Sequence, residues 1–272
     1  MHNYDKVRAK NNEISDTPTD NAEKCMKKLI FTYLAISLFI SILGTAVPAQ
    51  SKKDKTKAKP PVIAASSSLK DEEIVFGLKD ALSNGVSRAG AELSRQGGFY
   101  DDPRVKLSMP PELQALEKKL RSLKYDDLVD DFVVSMNRAA EQSVVETSFP
   151  LNDAIRQMTV QEPKKLLAGP KDAATQYFRR TSEKVLLAKV TPLAQTANSE
   201  AGVLEQFKIL MQKGGGLNTP AGQKPFSIDE YVAQKVLDGM LLITADEEKR
   251  IREDPAARTT AILKKVFGSN IK

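Results

Sequence analysis

The chain has 272 residues, 41% of them hydrophobic, which suffices for the core of one ordinary domain, and two at most. Its formal charge is +6, but residues 60–272 hold 30 basic and 29 acidic side chains, so the positive excess lies near the N-terminus and nucleic acid is not an expected partner. One histidine (His2), one cysteine (Cys25) and no tryptophan exclude Ser-His-Asp and Cys-His nucleophiles and His-ligated zinc, and leave no disulfide framework after residue 25.

Residues 1–25 are polar, without an apolar period, and read as an upstream extension before a second start at Met26. From there the pattern is that of a secretory signal. Lys27 and Lys28 form a positive region, Leu29 to Gly44 is an uncharged apolar run, and Val47-Pro48-Ala49 places small residues before a cut at Gln50. Residues 26–49 are therefore expected to direct export to the periplasm. The alternative is an uncleaved inner-membrane anchor over 29–49, the only route by which this chain would engage a membrane. The lysines at 52–59 argue against it by lying on the far side of the run. Residues 50–68, rich in Lys, Pro, Ala and Ser, read as a solvated tether.

Order is expected over 69–268, as a single all-α bundle of about eight helices without a sheet. Ser68 and Asp71 resemble a capping box, and Ile74, Leu78, Leu82, Val86, Ala89 and Leu93 follow at helical spacing to Gly97-Gly98. Gly77, Gly85 and Gly90 in that helix read as close-packing points. Pro110-Pro111 opens a second helix. A third spans 126–145, and Leu151, Ala154, Ile155 and Met158 mark a short fourth. Thr159 and Glu162 form another capping pair, before a short turn that Gly169-Pro170 ends. A long helix then runs from Asp172 to Thr191-Pro192, another from Ser199 to Lys213, and a third, capped by Ser227 and Glu230, to Arg252. Asp254-Pro255 starts the last, which Gly268 closes.

Three stretches look chemical and have plainer readings. KGGGLNTPAGQK (213–224) lacks the Gly-Lys-Ser/Thr and the preceding strand of a phosphate loop, and reads as a plain loop. DDLVDD (126–131) offers carboxylate pairs to a hard cation, but acidic residues in a first helical turn are favoured by its dipole. DEEKRIRED (246–254) reads as a solvated face with Asp246–Arg250 and Glu248–Arg252 pairs. No cofactor signature is present.

The informative polar residues lie inside apolar helices. The third helix is apolar over most of its circumference, yet carries Asn137, Arg138 and Glu141 at its centre. On the helix from Asp172, Thr175, Arg179 and Ser182 share one strip, with Arg180 about 100° away. If the two helices face each other, Glu141 pairs with Arg179, Asn137 and Thr175 supply hydrogen bonds, and Arg180 stays outside. Such a network fixes helix register, or lines a small polar pocket.

VDDFVVSMNRAAE, DAATQYFRR, VLDGM and DPAARTTAILKKVFG, in this order, resemble the family known as domain of unknown function 4197. The resemblance spans about residues 69–268 and implies an exported bacterial helical domain, without an established activity or ligand. Its motifs include Asn137, Arg138, Glu141, Thr175, Arg179 and Arg258. The missing nucleophile, metal and cofactor patterns favour a non-catalytic binding or scaffold protein, whose partner is an envelope protein or a small polar ligand. The alternative is a carboxylate-dependent hydrolase with a polar pocket between central helices.

Overall fold

In a computed structural model, the described residues are 69–216 and 225–268. They form eight α-helices and two 3₁₀ turns, with no strand among the described residues. The helices are α1 (Asp71–Leu93), α2 (Gln114–Ser122), α3 (Asp126–Gln157), α4 (Pro163–Ala168), α5 (Ala173–Glu200), α6 (Val203–Gly214), α7 (Ile228–Glu253) and α8 (Ala261–Gly268). The extension, the signal-like segment and the tether over 1–68, and most of the glycine-rich loop, lie outside the described residues.

Four long helices make the frame. α1 packs most extensively on α7, α7 on α5, α5 on α3, and α3 on α1, which closes the ring. The ring buries one continuous core that includes Leu78 and Leu82 of α1, Phe132 and Met136 of α3, Phe178 and Leu186 of α5, and Val236 and Met240 of α7. α2 and α6 cover α3, and α8 covers α1. The tight α1–α7 approach depends on Gly85. A Cβ there would lie 2.9 Å from the Cα of Thr244 and 3.0 Å from its carbonyl oxygen, so no side chain fits without backbone movement.

The helix borders differ from the sequence pattern in several places; the last helix, for one, starts at Ala261, and Asp254-Pro255 opens a separate 3₁₀ turn, Pro255–Ala257. The expected third and short fourth helices are one element, α3, with Pro150 inside it. Pro150 cannot donate to the carbonyl of Glu146, but Glu146 is exposed, which leaves that carbonyl open to solvent. By the same logic α5 passes through Pro192 to Glu200, because Ala188 is exposed. At the start of α1 the N-cap is Lys70, with Glu73 Oε2 accepting from its amide at 3.3 Å; Ser68 lies outside the described residues. Thr159 and Glu162 do not form the expected capping pair: Glu162 is itself the N-cap of the six-residue α4 and makes no side-chain capping bond. Ser227 does cap α7, accepting from the Glu230 amide.

Candidate functional site

The polar residues at the centre of α3 meet loop backbone, not a facing helix. Asn137 Oδ1 accepts from the Leu107 amide at 2.9 Å, and its Nδ2 donates to the Leu107 carbonyl at 2.8 Å. Glu141, 5% exposed, accepts from the amides of Phe99 (3.3 Å) and Tyr100 (3.5 Å). Gly97, at φ 81°, turns the chain so that its own amide joins them. Burial pushes the Glu141 carboxyl above its ordinary value, against the opposing pull of these amides. The two side chains thus pin both ends of the loop between α1 and α2. Arg138, one position from Asn137, is half-buried and makes no hydrogen bond or ion pair among the described residues.

The expected Glu141–Arg179 pair does not form. Glu141 lies on the side of α3 that faces the 97–100 loop, whereas Arg179 lies on the side of α5 that faces α7. Arg179 Nη2 donates to Asp238 of α7 and to Glu183 Oε1 at 3.1 Å. Gln234 Nε2 ties the same two carboxylates together, at 3.1 and 3.2 Å. The side chain of Arg179 is 42% exposed, so this network is half wet. Arg179 does turn toward the bundle, while Arg180 is exposed and lies over the Tyr177 ring.

Arg179 and Thr175 line a half-open cleft of about 440 Å³ between α5, α7 and the 104–106 loop. The α7 wall is one helical strip, with Lys235, Asp238, Leu242 and Ala245 at steps of three and four. The loop supplies Arg104, Val105 and Lys106 as the lip. Gly239 lets that lip close on α7, since a Cβ there would meet the buried Phe99 ring at 2.9 Å and Val105 at 3.5 Å. Asn137 and Glu141 hold the lip from the α3 side. Of the residues singled out in the sequence, Thr175 and Arg179 line the cleft, whereas Asn137 and Glu141 bond the loop that carries its lip, and no hydrogen bond or ion pair joins the two sets among the described residues.

Below the cleft lies the domain's most buried charge. Glu248 is fully buried. Its carboxylate accepts from the Ala174 amide (3.0 Å), the Thr175 amide (2.8 Å) and the Thr175 hydroxyl (2.7 Å), and so caps α5 from α7. Arg252, with a side chain 10% exposed, donates to Glu248 Oε1 at 2.8 Å and to the carbonyls of Leu166 and Leu167 at the end of α4. Residues 246–254 are therefore not a solvated face. Glu247 is buried as well. Burial raises its carboxyl, but the guanidinium groups of Arg250 (2.6 Å) and Arg88 (2.8 Å) win and hold it below the ordinary range. Arg250 pairs with Glu247 and not with the expected Asp246, which instead meets Arg104. Arg258 donates to the carbonyls of Ile251 and Arg252, both at 2.9 Å, and caps α7 from beyond its end.

The sequence pattern missed Lys235 and Asp238; it paired Glu248 with Arg252, as found, but on a solvated face rather than a buried one. The signal was present. The buried positions of α7 run on through Val236, Met240, Ile243, Glu247 and Ile251, so the stripe continues under the charged run. In DDLVDD, Arg121 of α2 holds Asp130 at 2.9 Å and Asp126 at 3.5 Å. Among the described residues, no group of three or more His, Cys, Asp or Glu side chains converges as for a metal ion, and no helix is long and apolar enough to cross a membrane.

Residues 68–268 match the family model described as Protein of unknown function (DUF4197). The chain belongs to that family. No curated protein and no solved structure matches it.

Proposed function

We propose that this family member is an exported protein of the cell envelope that binds a small polar ligand, without catalysis, in the α5–α7 cleft. The observation that carries the reading is the state of the cleft's carboxylates. A glycosidase-like or other carboxylate hydrolase needs two such groups facing one substrate, one of them able to hold a proton. Asp238 is engaged by Arg179 and Gln234, and Asp172 accepts from Gln176 at 2.9 Å at the start of α5. Both are fixed as hydrogen-bond acceptors, which suits binding. Export is supported by the Lys27-Lys28, apolar run and Val47-Pro48-Ala49 pattern.

Two measurements test this. The intact mass of the protein recovered from cells should give an N-terminus at Gln50; a mature start at Met1 or Met26 removes the cleaved signal peptide, and retention of that intact chain in membranes favours the anchor over 29–49. Thermal melts of the purified protein against a panel of small polar metabolites should find compounds that stabilise it, by about 2.7 kcal/mol at a hundredfold excess over Kd. The bound compound should be recovered unchanged. A hydrolysed compound, or a panel without a hit, overturns the binding reading.

A further inference from the structure

The charges around the cleft are unequally engaged. Arg104 is neutralised by Asp102 and Asp246, at 2.7 and 2.8 Å, and Arg179 by Asp238 and Glu183. Lys235 and Lys106 have no carboxylate partner among the described residues. Among the described residues each lies over a ring: Lys106 Nζ is 3.6 Å from the centroid of Tyr100, and Lys235 Nζ 5.7 Å from that of Tyr231. Lys235 is half-buried, in the wall of the cleft. Asp172, the acid of the lining without a cationic partner among the described residues, accepts from Gln176 and sits at the α5 N-terminus, where the helix dipole offsets it. Val105, Leu241, Leu242 and Ala245 supply the apolar floor of the same lining.

We infer that this cleft is an oxyanion site: Lys235 and Lys106 hold a carboxylate or phosphate group, and the floor takes a compact apolar body attached to it. The inference rests on the cleft being the binding site proposed above, and assigns its ligand class. A carboxylate and a phosphate monoester present the same oxygen-borne negative charge to an ammonium group. Two lysines fit either, because each is a point charge without the planar fork that selects bidentate geometry.

Three probes with a common ring separate charge from shape: benzoate, phenyl phosphate and the uncharged benzamide. Calorimetric titration of the purified protein should give Kd values near about 1 mM for the stronger anion, as expected for so small a ligand. Benzamide should bind at least about tenfold more weakly. Lys235→Gln, which keeps the stem and removes the charge, should weaken both anions about tenfold and leave benzamide unchanged. Lys106→Gln, on the exposed lip, should act in the same direction if Lys235→Gln disturbs the fold. Lys184→Gln removes the same charge from the exposed side of α5 and should change nothing. The preference between benzoate and phenyl phosphate tells which oxyanion the site favours. Equal binding of benzamide and benzoate overturns the oxyanion assignment and leaves the cleft a binding site. So does anion binding that Lys235→Gln and Lys184→Gln weaken alike. Failure of all three probes with a neutral hit from the metabolite panel overturns the assignment alone, whereas failure with an empty panel removes the binding reading too.

Discussion

Two ion pairs of similar appearance in the sequence differ in what water they lose. Arg179 meets Asp238 and Glu183 at a half-exposed surface, so solvent screens the attraction. Glu248 and Arg252 are buried together, and five hydrogen bonds converge on the Glu248 carboxylate. Removing Glu248 leaves a nearly buried guanidinium without its counter-charge, though still bonded to the Leu166 and Leu167 carbonyls, and two helix amides without acceptors. Glu248→Ala should therefore cost about 3–5 kcal/mol, against about 1 kcal/mol for Arg179→Ala. Urea melts at pH 7 compare them directly, and equal losses would contradict the burial argument. Glu141 offers a test with the opposite pH sign from most carboxylates. Its folded pKa is raised by burial, so its contribution is fully present below the unfolded value, near 4.5, and is lost as pH rises through the folded value. Glu141→Gln keeps the acceptor oxygen for Phe99 and Tyr100 and removes the ionisation. The gap between variant and wild type should move in the variant's favour as pH rises from about 4.5, whereas Glu141→Ala should lose about 1–3 kcal/mol by stranding the loop amides.

At the level of the elements, periodicity identified the long helices and failed at their borders, for a physical reason. A proline inside a helix removes a donor and crowds the preceding turn, yet the cost falls when the freed carbonyl faces water. That exposure is a tertiary property, invisible in the residues around Pro150 and Pro192. The same limit applies to the site. Asn137 and Glu141 stood out because polar groups in an apolar helix need partners, but the partners are backbone atoms of Leu107, Phe99 and Tyr100. A loop backbone carries no side-chain signature, and so a facing helix looked the natural acceptor. Thr175 and Arg179 stood out as one strip, and the structure places both on the cleft. Gly239 is where loop and helix meet. Gly239→Ala gains helix propensity of about 1 kcal/mol. The new methyl nevertheless strikes Phe99, which is fully buried and cannot swing away. A net loss of about 1–2 kcal/mol is expected in urea melts, with weakened ligand binding as the lip is pushed off α7. A neutral or stabilising substitution would show that the loop yields without cost.

The whole molecule gathers its contacts from far apart along the chain. α1 finds its largest partner in α7, and the first turn of α5 is capped by a carboxylate 73 and 74 residues further on. Short-range helices form early and cheaply, but distant closures must first overcome the entropy of the intervening loop. Made in order from its N-terminus, the chain holds α1, α3 and α5 before α7 exists to seat them. Until residues 228–253 emerge, the apolar face of α1 and the groove that Gly85 leaves for Thr244 stay open. The domain is thus built to remain unfinished until nearly all of it has been synthesised. If the chain is exported as proposed, that delay keeps it loosely structured while it is threaded across a membrane, and postpones final closure to the far side.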